Sequence, residues 1–146
     1  MTALPAAIDG LLAVARTSTV IGMSGVRVDD GPWVSRPIDQ DVVVIGWLPI
    51  EGPTVAWVED LRGLESTTEV FDIHCLVQVW RPDMVLKAAR DRADELFEAV
   101  RDEVKNNRTL NGAVATARVV AVHVTSEQNT DGCTILFEFV VHVQTF

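Results

Sequence analysis

Glu69-Val70-Phe71-Asp72-Ile73-His74-Cys75-Leu76-Val77-Gln78-Val79-Trp80 alternates along its whole length. Phe71, Ile73, Cys75, Val77 and Val79 fall on one side and Asp72, His74, Gln78 and Trp80 on the other. That is the pattern of a half-buried strand, over about Thr68 to Trp80. The C-terminal stretch Cys133 to Phe146 repeats it, with Cys133, Ile135, Phe137, Phe139, Val141 and Val143 inward and Thr134, Glu138, His142 and Gln144 outward. Between the two strands the period changes. From about Asp83 to Asn106, Val85, Ala89, Ala93, Leu96, Phe97, Val100 and Val104 recur at helical spacing, with Lys87, Asp91, Asp94, Glu98, Arg101 and Lys105 on the wet face. Two alternating strands framing one long amphipathic helix predict an α+β fold, an antiparallel or mixed sheet carrying that helix.

Outward from this frame, Leu4, Ile8, Leu11, Leu12 and Ala15 predict a short N-terminal helix over Leu4 to Arg16, with Pro5 tolerable in its first turn and Gly10 weakening it. A short strand is expected around Val26, before a turn at Asp29-Asp30-Gly31-Pro32. Asp41 to Trp47 is a continuous β-branched run, the pattern of a strand covered on both faces. Leu48 to Ser66 reads as an irregular arm, punctuated by Pro49, Gly52, Pro53 and Gly63. Asn111-Gly112 marks a turn, after which Arg118 to Thr125 places Val120, Val122 and Val124 on one face; a loop from Glu127 to Gly132 then closes an antiparallel hairpin with the last strand. The expected order is α-β-β-arm-β-α-β-β, in one domain spanning residues 1–146.

The 146 residues suffice to bury roughly 68–70% of the unfolded chain's surface. A composition 48% hydrophobic and 23% charged excludes global disorder. The net charge of −9 opposes binding to phosphate backbones or to an anionic membrane. Cys75 and Cys133 form no CxxC pair, which excludes a zinc ribbon and a disulfide framework and favours a reducing compartment. Leu11 to Ala15 is too short to span a bilayer and is preceded by Asp9 instead of a basic segment, so it reads as helix and not as a signal peptide.

The chain carries no catalytic constellation that its spacing reveals. His74, His123 and His142 sit on the outward faces of three different strands, without an HxH or HExxH pair, and read as surface histidines. Cys75 and Cys133 fall inward and read as small core residues. Asp29-Asp30 and Glu59-Asp60 lack the spacing of a calcium loop. Gly22-Met23-Ser24-Gly25 has the form of a backbone clamp but no flanking bases. No cofactor or metal is expected. Four tryptophans with no tyrosine stand out: Trp33, Trp47 and Trp57 lie in or beside the irregular segments and Trp80 ends a strand on its polar face. With the acidic Glu59 and Asp60 of the arm, these are the candidate interface residues.

Four stretches carry a resemblance: Ala3 to Leu12, Glu69 to Trp80, Ala88 to Ala93, and Thr109 to Val114 leading to the final hairpin. In element order and texture the chain resembles, over nearly its full length, the tail terminator proteins of long-tailed bacteriophages, also called minor tail or tail completion proteins, of the type found in actinobacteriophages. The arm from Leu48 to Ser66 has no counterpart in that resemblance. The resemblance implies an α/β subunit of a ring, six-membered in this family, on the head-proximal end of the tail tube in the virion. It further implies arrest of tube polymerisation, protein partners in the tube and in the head–tail connector or stopper, DNA passing through without specific binding, no membrane, and no catalysis. Six chains of −9 would carry −54, and an acidic lumen lets DNA slide. Other readings compatible with the residues are a different head–tail connector or tail tube subunit, a cytosolic small-molecule-binding or enzyme domain using His74 and nearby carboxylates, and a dimerising adaptor domain.

Overall fold

In the computed structural model, which describes residues 3–19, 21, 26–31, 41–46, 56–59, 67–83 and 85–145, helices pack on one face of a six-stranded mixed sheet. The elements are α1 (Leu4–Arg16), β1 (Arg27–Asp30), β2 (Val42–Ile45), β3 (Ala56–Glu59), β4 (Thr67–Arg81), α2 (Leu86–Asn106), β5 (Thr116–Asn129) and β6 (Gly132–Gln144). The sheet order is β1-β2-β4-β6-β5; β1 runs parallel to β2 and the other pairs are antiparallel.

The two alternating stretches are direct neighbours, paired from Val70↔Gln144 to Arg81↔Cys133. β5 therefore runs parallel to β4 with β6 between them, and α2 is the crossover of a split β-α-β unit. The helix-side core joins Phe71, Ile73, Cys75, Val77 and Val79 of β4 to Ile135, Phe139, Val141 and Val143 of β6. Ala89, Ala93, Leu96, Phe97, Val100 and Val104 of α2 close over them. Phe97 is the keystone, with its ring 5.8 Å from that of Phe137 and 5.2 Å from that of Phe139 in an edge-on contact. α1 lies against α2, β1 and β2, burying Ala7, Leu11, Leu12, Val14 and Ala15.

Gly10 is where α1 meets the turn after α2. A Cβ there would stand 2.7 Å from the Leu110 carbonyl oxygen, so the residue that weakens the helix on paper permits its closest contact. Leu110 holds a positive φ of 49° while fully buried.

The structure corrects several expectations. α2 starts at Leu86, not Asp83; Asp83 instead accepts a hydrogen bond from the Val85 backbone N–H at 3.1 Å, and Val85 is 47% exposed, outside the buried stripe. The arm contains a strand, β3, which pairs with the first residues of β4 from Ala56↔Val70 to Glu59↔Thr67. Asp29 and Asp30 belong to β1 and not to the turn after it. The hairpin loop is only Thr130-Asp131, because β5 extends through Asn129. Gly132 makes that tight join possible: its φ is 151°, and a Cβ would meet the Arg81 carbonyl oxygen at 2.3 Å.

Candidate interaction surface

β5 is a sheet edge fourteen residues long. Its first residues are covered by α2: Ala117 is fully buried and Val119 packs against the core. A bulge follows between Val119 and Ala121, where Val120 is the extra residue and the pairing shifts from Val119↔Val141 to Ala121↔Val140. The inserted residue shifts the two-residue period by one, so that Ala117 and Val119 face the helices before it and Val122 and Val124 after it. Past the bulge, Val122 opposes Phe139 and Val124 opposes Phe137, so both point to the helix side of the sheet. α2 does not reach them, and Val120, Val122 and Val124 are 47%, 46% and 47% exposed. Every residue from Val120 to Gln128 is exposed. A long β-branched edge strand is a template for another chain unless blocked, and past its bulge this one carries no proline and no lysine.

The face away from the helices has two parts. Around β2 a second small core forms from Val42, Val44 and Leu76, with Leu136 packed on it, and Gln78 is only 4% exposed. The outward face expected for Asp72, His74, Gln78 and Trp80 is therefore dry at Gln78, beside Leu76, which packs with Val42 and Val44 of β2. The rest is polar. β4, β6 and β5 are adjacent, so the three histidines share this face: His142 opposes Asp72, His74 opposes Val140, and His123 opposes Glu138. The His142 Nδ1–H donates to Asp72 Oδ1 at 2.8 Å, both side chains being partly open to solvent. Among the described residues no group of three histidine, cysteine or acidic side chains converges as a metal site.

Both cysteines are buried, as their inward positions imply. They are also far apart, since Cys75 opposes Phe139 and Cys133 opposes Arg81, six register positions or roughly 20 Å along β4. Burial pushes the Cys75 thiol up to about 12, which leaves it protonated and inert as a nucleophile.

The polar cluster that sequence reasoning missed is a triad at the far end of the sheet. Asp41, just before β2, accepts from Arg81 Nη1 at 2.7 Å and from Arg92 Nε at 3.0 Å, tying β2, β4 and α2 together. Burial works to raise the Asp41 pKa, but hydrogen bonds and charge from Arg81 and Arg92 outweigh it and hold the carboxyl below its ordinary value of 3.8. No local pattern announces a contact between residues 41, 81 and 92.

Of the candidate interface residues, Trp80 is half-buried on the outer face, opposite Thr134. Trp57 and Glu59 lie in β3, at the register positions of Glu69 and Thr67. Trp33, Trp47 and Asp60 lie outside the described residues, as does the Gly22 to Gly25 stretch. The three that the structure describes sit along β4, Trp57 and Glu59 beside its first residues and Trp80 near its last.

No family model matches the chain, and no curated protein matches it. Among solved structures it is similar to a chain of the virion of native gene transfer agent (GTA) particle, with 15% identity, a TM-score of 0.44, and 92% of this chain and 91% of that chain covered.

Proposed function

We propose that the chain is a structural virion protein, a tail terminator that forms a ring of about six copies on the head-proximal end of a phage tail tube. In this role it stops tube growth, offers a surface to the head–tail connector and leaves a channel for DNA. The observation that carries the ring is the β5 edge, long and β-branched, with Val120, Val122 and Val124 half exposed beyond the cover of α2. A closed ring needs two different complementary patches on each subunit, and a sheet with an open edge supplies one of them. The resemblance in element order to tail terminators supports a position at the tail end, and a net charge of −9 per chain suits a wall that DNA must pass without sticking. Trp57, with its neighbours in the arm, is assigned to a subunit or partner contact. The role involves no catalytic step.

Native mass measurement tests the reading. The full chain is expected as monomer at low concentration and as a ring of about six at high concentration. The double substitution V122D/V124D is expected to leave it monomeric with an unchanged circular dichroism spectrum. A strict dimer at all concentrations would sink the reading.

A further inference from the structure

Between the C-terminal turns of α2 and the start of β5 lies a cleft of ≈ 260 Å³ bounded by Arg101, Val104, Lys105, Arg108, Ala117, Arg118 and Val119. Four of the twelve cationic side chains of an acidic protein meet there around an apolar floor. Arg101 is engaged by Glu98 on its own helix at 3.4 Å. Lys105, Arg108 and Arg118 form no ion pair among the described residues. The end of a helix favours cations, which accounts for Lys105 and Arg108 being near it, but not for Arg118, which comes from a separate strand. The cleft is continuous with the exposed valines, since Arg118 and Val119 lead directly into Val120.

We propose that this basic cleft receives the Asp30 end of the β1 edge of a second copy of the chain, an inference that rests on the ring reading above and names the charged half of its interface. β5 and β1 are the two opposite ends of the sheet. The β1 end carries Asp29 and Asp30 together with Arg27, and Arg16 of α1 donates to the Val28 carbonyl at 3.4 Å; Asp29 is paired with Arg27 at 2.8 Å, while Asp30 is exposed and forms no ion pair among the described residues. Head-to-tail docking thus sets the basic cleft against the carboxylate of Asp30. Copies that each carry −9 repel at long range, so a local basic patch at the contact both offsets that repulsion and fixes which edge meets which. Nucleic acid is the competing occupant of any basic cleft, and the net charge argues against it.

The test is sedimentation velocity on the full chain across a concentration series, at about 50 and about 500 mM salt, a range over which exposed charge pairs go from weakly to strongly screened. Wild type is expected to lose its advantage over the charge-reversed variant K105E/R108E at the higher salt, where the contact charges and the repulsion between copies are both screened. K105E/R108E, at two exposed positions, is expected to raise the half-association concentration at least tenfold at low salt with an unchanged circular dichroism spectrum. Adding D30K to that variant is expected to recover part of the loss, because every interface then pairs a reversed cleft with a reversed edge. Unchanged association of K105E/R108E, while V122D/V124D still abolishes it, overturns the cleft and leaves the ring standing. No recovery with D30K shows that the cleft meets some other surface, and overturns the assignment to β1. Retention of a duplex DNA probe by wild type that K105E/R108E abolishes, with association unaltered, makes nucleic acid the occupant and overturns it too. A wild type that stays monomeric at every concentration removes the ring itself, and this inference with it.

Discussion

Strands β6 and β5 are joined by two residues, run thirteen and fourteen residues, and alternate β-branched side chains in nearly the same way. β6 lies between β4 and β5 with α2 above it, and its inward residues from Cys133 to Val143 are all buried. β5 has a neighbour on one side only, and past Val119 nothing described in the chain covers it. The same local pattern therefore serves opposite ends. Alternation fixes which side chains share a face, but whether that face is dry depends on what packs over it, and this is a property of the whole chain. Stability is concentrated in β6 and the capacity to bind in β5, and substitutions should divide along that line.

The largest effect is expected at Phe139, which is 1% exposed and holds the edge-on contact with Phe97. Phe139→Ala should cost about 3–5 kcal/mol of unfolding free energy, read by urea denaturation, through lost burial and the cavity left under α2. A cost below about 1 kcal/mol would mean that β6 is not the centre of the core and would break the contrast with β5.

Next comes the triad that clamps the β2 side of the sheet. Asp41→Ala removes the acceptor that Arg81 and Arg92 share, leaving Arg81 on the Trp80 carbonyl and Arg92 on Glu95, and is expected to cost about 1.5–3 kcal/mol. The sign of its pH dependence follows from a carboxyl whose folded pKa lies below the ordinary 3.8. The stabilisation is complete above the unfolded value and is lost as pH falls from about 4 through the folded value. Wild type should therefore lose stability more steeply than Asp41→Asn on the acid limb, and parallel acid limbs would show that the arginines contribute nothing through this charge.

A smaller loss is expected at the join of the two strands. Gly132→Ala sets a methyl 2.3 Å from the Arg81 carbonyl oxygen at a φ of 151°, so the hairpin must shift, at a cost of more than about 1 kcal/mol. The turn is far from Val122, so if self-association is lost along with stability, the β5 edge depends on the exact path of the hairpin.

The contrast between the strands also marks how much of the molecule was legible beforehand. α1 was readable to the residue, and β4, α2 and β6 to within about three, because each buries one face and writes that burial into its own period. β3 was hidden inside the arm, since four residues carry too little period to register. The bulge at Val120 was invisible because it is defined by the partner strand, and a run of valines reads the same with or without it. The tryptophans are visible singly as large aromatics, whereas the open edge and the basic cleft arise from residues that are ordinary singly and are brought together only by the crossover of α2 and the parallel run of β4 and β5. Arg101, Lys105 and Arg108 are visible as one helix-end group, but Arg118 joins them only in three dimensions.

The smallest expected effect is the sharpest probe of the comparison. Val122→Thr keeps shape and β-branching and adds a hydroxyl at a position 46% exposed, so stability should change by less than about 0.5 kcal/mol. The same change at Val141 of β6, fully buried, should cost about 1–3 kcal/mol because the hydroxyl is taken out of water without an acceptor. Two valines on the same helix-side face of neighbouring strands would then differ only in their cover. If Val122→Thr also costs more than about 1 kcal/mol in the monomer, part of the chain covers the edge in solution and β5 is no docking strand. If it is silent in the monomer but weakens association measured at high concentration, the missing cover is supplied by another copy, because the hydroxyl is penalised only where water is excluded.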